Sequence, residues 1–400
     1  MRFSDMKNRR AVILIGVLWA IALVTTIVVV VARSSMLDSR ISLTSAENIR
    51  GHWACRAGLE KAIAVLAYDE TSVDSFADLW YDNVEDFNDV PLDLCSFNVA
   101  VVDESSKLSL NSATKEQLIE LPYMTDEIAD SIIDWRDRDE NVTGEGAETG
   151  YYLNLENGYE PPNGPFTTFD ELLRVCGVTE SLVYETARWD DMLTCWSQSG
   201  SSSDDTTEKI DVNRVGERQL RNRLSLAQAH ARWIVENRDF DSIGNLLANN
   251  SPDEPQRNAD RSEQPMPLDR QTFFSIIDQV TVSSNNNQQQ GQAKVNINTA
   301  PRDVLVAVFE GDETLAEEVL SYREGAVEGF ASLGDLAEIK SLTNRKIREF
   351  IDYLTVNSSV FRVTSEAVLD ATGTTRSLTA IVDRSQTPVR ILYYYEGPNR

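Results

Sequence analysis

The densest set of potential ligand groups in this 400-residue chain lies between Asp134 and Asn163. It opens with Asp134-Trp135-Arg136-Asp137-Arg138-Asp139-Glu140 and continues with Gly144-Glu145-Gly146-Ala147-Glu148. Tyr151, Tyr159 and Asn163 follow, and Pro161, Pro162 and Pro165 stiffen the return. A hard cation such as calcium takes roughly six to eight oxygens from carboxylates, backbone carbonyls and amide side chains. Asp137, Asp139 and Glu148 are the residues expected to converge on such an ion if the loop folds back. The spacing is not that of an EF-hand, and a solvated acidic loop is the competing explanation on composition. Other chemistry is sparse. His52 and His230 are the only histidines, neither lies beside a Cys or Ser motif suggesting a triad, and no phosphate-binding glycine loop occurs. No enzyme is expected. Cys55, Cys95, Cys176 and Cys195 form an even set whose spacing is unlike a zinc site. They leave two disulfides, in three connectivities, or free buried thiols as the alternatives.

The acidic loop interrupts the first of three related segments. Lys107-Leu-Ser-Leu-Asn111, Lys209-Ile-Asp-Val-Asn213 and Lys294-Val-Asn-Ile-Asn298 begin them. Seven residues past each Asn stands Leu118, Leu220 or Leu305, and twenty-five past it stands Arg136, Arg238 or Arg323. Each then reaches a Phe-to-Leu run, Phe166 to Leu172, Phe240 to Leu246 and Phe330 to Leu336, with Thr168, Ser242 and Ser332 placed to cap a helix. So many shared offsets mark internal repetition. Each unit reads as an extended start, a helix, a hairpin turn, a second helix and a capped third helix, with Asn closing a turn through its own side chain. Ser197 to Glu208, Asn249 to Gln264 and Asn285 to Gln292 read as exposed linkers.

The elements that must position these units flank them. Arg2, Lys7, Arg9 and Arg10 precede an uncharged stretch from Ala11 to Ala32, which as a helix spans about 33 Å, enough for a bilayer core. The basic flank predicts a cytoplasmic N-terminus and an external remainder. The chain carries net charge −27, and with +3 before Arg33 the external part carries −30. That surface repels nucleic acid and favours divalent cations. The helix is expected to continue to about Tyr68 and to pack through Ile49, Trp53, Leu59, Ile63 and Leu66. Cys95 to Val102 reads as a strand with Lys107 to Leu110 beside it, and Val360 to Leu369, Thr375 to Arg384 and Val389 to Tyr395 as three more. The expected division is a leader (1–11), a transmembrane and stalk helix (12–68), a sheet domain in two parts (69–111 and 357–400), a first helical module (112–196), a linker (197–208), a second module with linkers (209–293) and a third module (294–356). The fold class is α+β: a long N-terminal helix on a small antiparallel sheet with a large all-α insertion.

The repeats resemble helix-hairpin-helix, or SAM-like, modules. Their turns, Leu121 to Thr125, Arg223 to Leu226 and Phe309 to Asp312, lack the paired glycines that admit a phosphate. A membrane-tethered DNA-uptake protein is therefore the alternative function, and no nucleic-acid partner is expected. The whole pattern resembles type IV pilin-like proteins, and more narrowly the minor pseudopilin K family of type II secretion systems. Val12-Ile-Leu-Ile-Gly-Val-Leu18-Trp19, Asp134-Trp135-Arg136-Asp137 with Asp139, Gly146-Ala147-Glu148, and Val295-Asn-Ile-Asn-Thr-Ala-Pro301 carry that resemblance, with Phe361 to Glu366 and Val382-Asp-Arg384 in the closing strands. It implies a prepilin peptidase acting at Ala11–Val12, and Gly16 in place of the usual Glu at the fifth mature residue. It also implies calcium in the helical domain, which turns the reading of the acidic loop toward metal binding at Asp137, Asp139 and Glu148. Partners would be I- and J-type minor pseudopilins at the tip of an inner-membrane-anchored pseudopilus whose bulk is periplasmic. The middle repeat departs from that family's two-module pattern.

Overall fold

The computed structural model describes residues 3–197, 209–248, 264–283, 293–370 and 372–397, with side chains from Ile13 onward. One helix runs from Phe3 to Tyr68 without interruption. Its 66 residues extend about 99 Å, and it is long and apolar enough to cross a membrane. Its far end lies on a five-stranded antiparallel sheet. The strand order is Val90–Leu92, Cys95–Asp103, Val360–Leu369, Thr375–Asp383, Arg390–Glu396. Burial alternates along Cys95–Asp103, as a sheet with one covered face requires.

The helix docks through small residues. Ala54, Cys55, Leu59, Ala62 and Leu66 are buried against Phe97, Val99, Val101, Phe361, Val363 and Leu378. Gly58 sits at the closest approach: a Cβ there would lie 2.2 Å from Ser365 Oγ and 3.0 Å from Phe97 and Val99. This corrects the expected face. Leu59 and Leu66 are buried and Ile63 half-buried, but Ile49 and Trp53 stand 60% and 62% exposed. Close packing on the sheet selects the Ala54, Gly58 and Ala62 stripe over bulkier side chains.

The predicted strands match to within a residue or two at their ends, with one exception. Lys107 to Leu110 does not join the main sheet. Asp103 accepts a hydrogen bond from the Ser105 N–H at 2.7 Å, and Glu104–Ser106 forms a 3-10 turn that carries the chain away. Leu108–Ser109 pairs instead, in parallel, with Leu193–Thr194. The same device closes the other repeats, where Ile210–Asp211 pairs with Val280–Thr281 and Val295–Asn296 with Leu354–Thr355.

The repeated residues have structural tasks. The amide of Asn298 donates to the Phe330 carbonyl at 2.9 Å and accepts from its N–H at 2.7 Å. Asn111 does the same with Phe166 and Asn213 with Phe240. The expected self-closed Asn turn is therefore a clamp between distant segments, because both backbone groups of the Phe would otherwise be unpaired. The repeat arginines bond carbonyls beside the Asn: Arg136 those of Leu110 and Ala113, Arg238 that of Val215, Arg323 those of Ile297 and Ala300. Ser242 and Ser332 cap as expected, accepting from Gly244 and Gly334, while the Glu171 carboxylate accepts from the Thr168 N–H. The capped segments Phe169–Arg174, Ile243–Leu246 and Leu333–Glu338 are 3-10 helices.

The second and third repeats complete each other. Helix Arg270–Ile276 of the second packs on Leu333–Glu338 of the third, and Asn344–Phe350 of the third packs on Ile243–Leu246 of the second. Asp278 accepts from the Leu333 N–H at 3.3 Å, and Asp352 accepts from the Ile243 N–H at 3.2 Å. The expected linkers lie almost wholly outside the described residues.

Candidate metal centre

Helix Asp126–Arg136 starts at Thr125, whose hydroxyl accepts from the Ile128 N–H. Ile128, Ile132 and Trp135 point into the core. Asp130, Asp134 and Asp137 fall at helical spacing along another face. The loop beyond folds back over that face. Thr143 donates its N–H to Asp134 at 3.0 Å, and Glu145 donates its own to Asp130 at 2.9 Å. Glycine is required for this approach. Gly144 has φ +51°, and a Cβ on Gly146 would lie 2.2 Å from an Asp134 oxygen. Lys115 neutralises Asp130 at 2.8 Å. Tyr152 meets the Trp135 edge at 5.3 Å and accepts from the Cys176 N–H through its hydroxyl, which fixes the returning segment.

This folding brings Asp134, Asp137 and Glu148 together, each with an oxygen within 4.8 Å of the others. Asp139 stays outside the group, where its side chain accepts from Asn141 at 2.8 Å. Glu148 is 5% exposed, and neither of its oxygens has a hydrogen-bond partner. Burial, reinforced by Asp134, Asp137 and Glu140, pushes its carboxyl up to about 7. Burial also raises Asp134 and Asp137. Three crowded carboxylates, one of them buried and unpartnered, are an unfavourable arrangement unless a cation joins them. The donors are all oxygen, so the set fits calcium or magnesium rather than zinc. Asp134 was the member that residue spacing missed; its place one turn before Asp137 is the available signal.

The remaining candidates are structural in their contacts. Asp69 and Asp74 hold the Arg384 guanidinium, His52 pairs with Glu396 at 2.7 Å, and His230 faces the Met266 carbonyl at 3.2 Å. All four cysteines are free, with Cys55 and Cys95 buried in the sheet core. Ala11 and Val12 lie within the long helix, and their side-chain surroundings fall outside the described residues. At the third hairpin Asp312 caps the following helix through the Leu315 N–H, and Glu120 lies 3.0 Å from where a Gly311 Cβ would be. A phosphate approaching that turn would meet carboxylates.

An apolar helix laid on a small antiparallel sheet, with a helical domain spliced between two adjacent strands, defines a pilin-like subunit with an enlarged head. Models of the type II secretion system (T2SS) protein K family match residues 96–189 and 295–357. The first stretch contains the acidic loop and the second the third repeat; the middle repeat lies between them. The fold is similar to a chain in the crystal structure of the GspK-GspI-GspJ complex from the enterotoxigenic Escherichia coli type 2 secretion system. The TM-score is 0.53 at 14% identity, over 90% of this chain and 99% of that one. A comparison with curated proteins returns no match. The two matched stretches and the fold together make the chain similar to type II secretion system protein K, a minor pseudopilin.

Proposed function

We propose that this subunit sits at the tip of a short pseudopilus, beside I- and J-type minor pseudopilins, where it helps nucleate the filament and thereby supports protein export across the outer membrane. The supporting observation is the uncovered outer half of the long helix. Past Arg33, Met36, Leu37, Ile41, Leu43, Ile49 and Trp53 are 52–65% exposed. Large apolar side chains exposed around a helix that leads away from a membrane span call for neighbouring helices laid alongside it. The complex in which the structurally similar chain is found provides the precedent for the partners. The leader orients the N-terminus toward the cytoplasm and the remainder toward the periplasm, and prepilin peptidase removes the leader between Ala11 and Val12. Gly16, where an added Cβ would meet nothing beyond its own helix within 4 Å, then stands where a carboxylate would engage a subunit above. A tip subunit has none to engage.

In the same reading Asp134, Asp137 and Glu148 hold calcium, which would neutralise the crowded carboxylates and fix the loop across the helix. No step of chemistry is assigned to it. The test is co-expression of the full chain with I- and J-type pseudopilins, extraction in neutral detergent and native mass spectrometry. A complex that survives and is weakened by Ile41→Asp with Trp53→Asp supports the reading. A chain that never associates, or associates equally well with both substitutions, contradicts it.

A further inference from the structure

The first lysine of each repeat meets a different fate. Lys107 is buried against Glu104 at 3.4 Å and donates to the Asp190 carbonyl at 2.8 Å. Lys209 and Lys294 instead line one crevice with Thr71, Ser105, Ser359 and Arg384. Neither lysine makes a hydrogen bond or ion pair among the described residues, and the hydroxyls of Thr71, Ser105 and Ser359 have no partner there either. The Arg384 charge is already met by Asp69 and Asp74. Asp352 and Asp278, the carboxylates that act on Lys294 from a distance, are engaged at Ile243 and Leu333. Lys209 repels Lys294 across the gap. The reciprocal packing of the two repeats has thus brought two like charges together with no counter-charge in contact among the described residues.

We propose that this crevice binds a small tetrahedral oxyanion of the phosphate or sulfate class. Two ammonium groups supply charge, and three free hydroxyls supply directed donors. The crevice measures about 50 Å³. A single water needs roughly 10–15 Å³ by the same measure, so a compact inorganic anion fits. Its position gives the ion a purpose. Thr71 follows the long helix, Ser105 leaves the sheet toward the first repeat, Lys209 and Lys294 head the other two, and Ser359 returns to the sheet. A bound oxyanion ties these five segments at one point, which gives the middle repeat a role as half of an anion clamp. Burial also lowers the Lys294 ammonium, so anion affinity should fall as pH rises and that proton is lost.

The experiment is isothermal titration calorimetry of the full chain in neutral detergent with inorganic phosphate, and separately with sulfate, at constant ionic strength. The expected result is saturable binding at one site, weakened at least tenfold by Lys294→Met and by Lys209→Met, with the fold checked by circular dichroism. If Lys294→Met does not fold, the exposed Lys209→Met and the Ser359→Ala variant carry the test. Absence of saturable binding by the wild type, or affinity unchanged in the folded lysine variants, overturns the proposal.

Discussion

Replacing Asn298 by Ala removes both bonds of the most buried repeat clamp. Asn298 is 1% exposed and Phe330 is fully buried. The Phe330 N–H and carbonyl, now bonded at 2.7 and 2.9 Å, would therefore be stranded without water. Each orphaned buried backbone group costs about 1–3 kcal/mol, so the pair should cost about 2–5 kcal/mol after partial relaxation. Asn111 and Asn213 make the same bonds but are only half-buried, so water can substitute and their Ala variants should lose about 1–2 kcal/mol. Urea unfolding of the full chain in detergent gives the total, and amide hydrogen exchange at Phe330 gives the local effect. Gly329→Ala provides a check from the other side, since its Cβ would lie 2.5 Å from Asn298 Oδ1. Equal small losses at all three asparagines, with Phe330 exchange unchanged, would refute the clamp as the reason for the repeated Asn.

Gly58→Ala should destabilise the sheet domain by about 1–3 kcal/mol through overpacking, read from the same unfolding curves, whereas Gly16→Ala should leave stability unchanged. Calcium should raise the melting temperature of the wild type, and Glu148→Gln or Gly146→Ala should abolish most of that rise. Without calcium, Glu148 titrates at about 7 when folded against roughly 4.3 unfolded. Its folded carboxyl is thus raised, so the metal-free fold loses stability as pH climbs from about 4 to 7, by about 4 kcal/mol at most. Asp74, also pushed up to about 7 by burial, adds a loss of the same sign in both proteins. The difference between wild type and Glu148→Gln isolates Glu148, and an identical pH dependence in the two would contradict the assignment.

Much of this architecture was written in local patterns. The uncharged run after Arg10, the alternation in Cys95–Asp103 and the Asn-Leu-Arg-Phe offsets each follow from a single period or spacing. What escaped depends on distance. The stalk face is chosen by what Gly58 permits against Ser365, and amphipathicity judged by bulk favoured Ile49 and Trp53 instead. Leu193–Thr194, Val280–Thr281 and Leu354–Thr355 are two-residue strands, too short for any periodicity, whose partners lie some 60 to 85 positions earlier. The exchange of partners between the second and third repeats leaves no local trace at all. In the acidic loop the glycines and carboxylates were legible as a ligand-rich stretch. Which of them converge was decided by the return of the chain over Asp130 and Asp134, so Asp134 entered the group and Asp139 fell outside it.

The most direct measurement is disulfide trapping along the exposed helix in membranes that carry the whole set of minor pseudopilins. Single cysteines at Ile41, Ile49 and Trp53, in a background with the native cysteines replaced, would be paired with cysteines on the I- and J-type helices. Ready cross-links to those helices, depleted when these apolar positions carry Asp, are what a docked filament subunit gives. Cross-links only to unrelated membrane proteins, or none at any position, would show that the uncovered helix does not serve assembly.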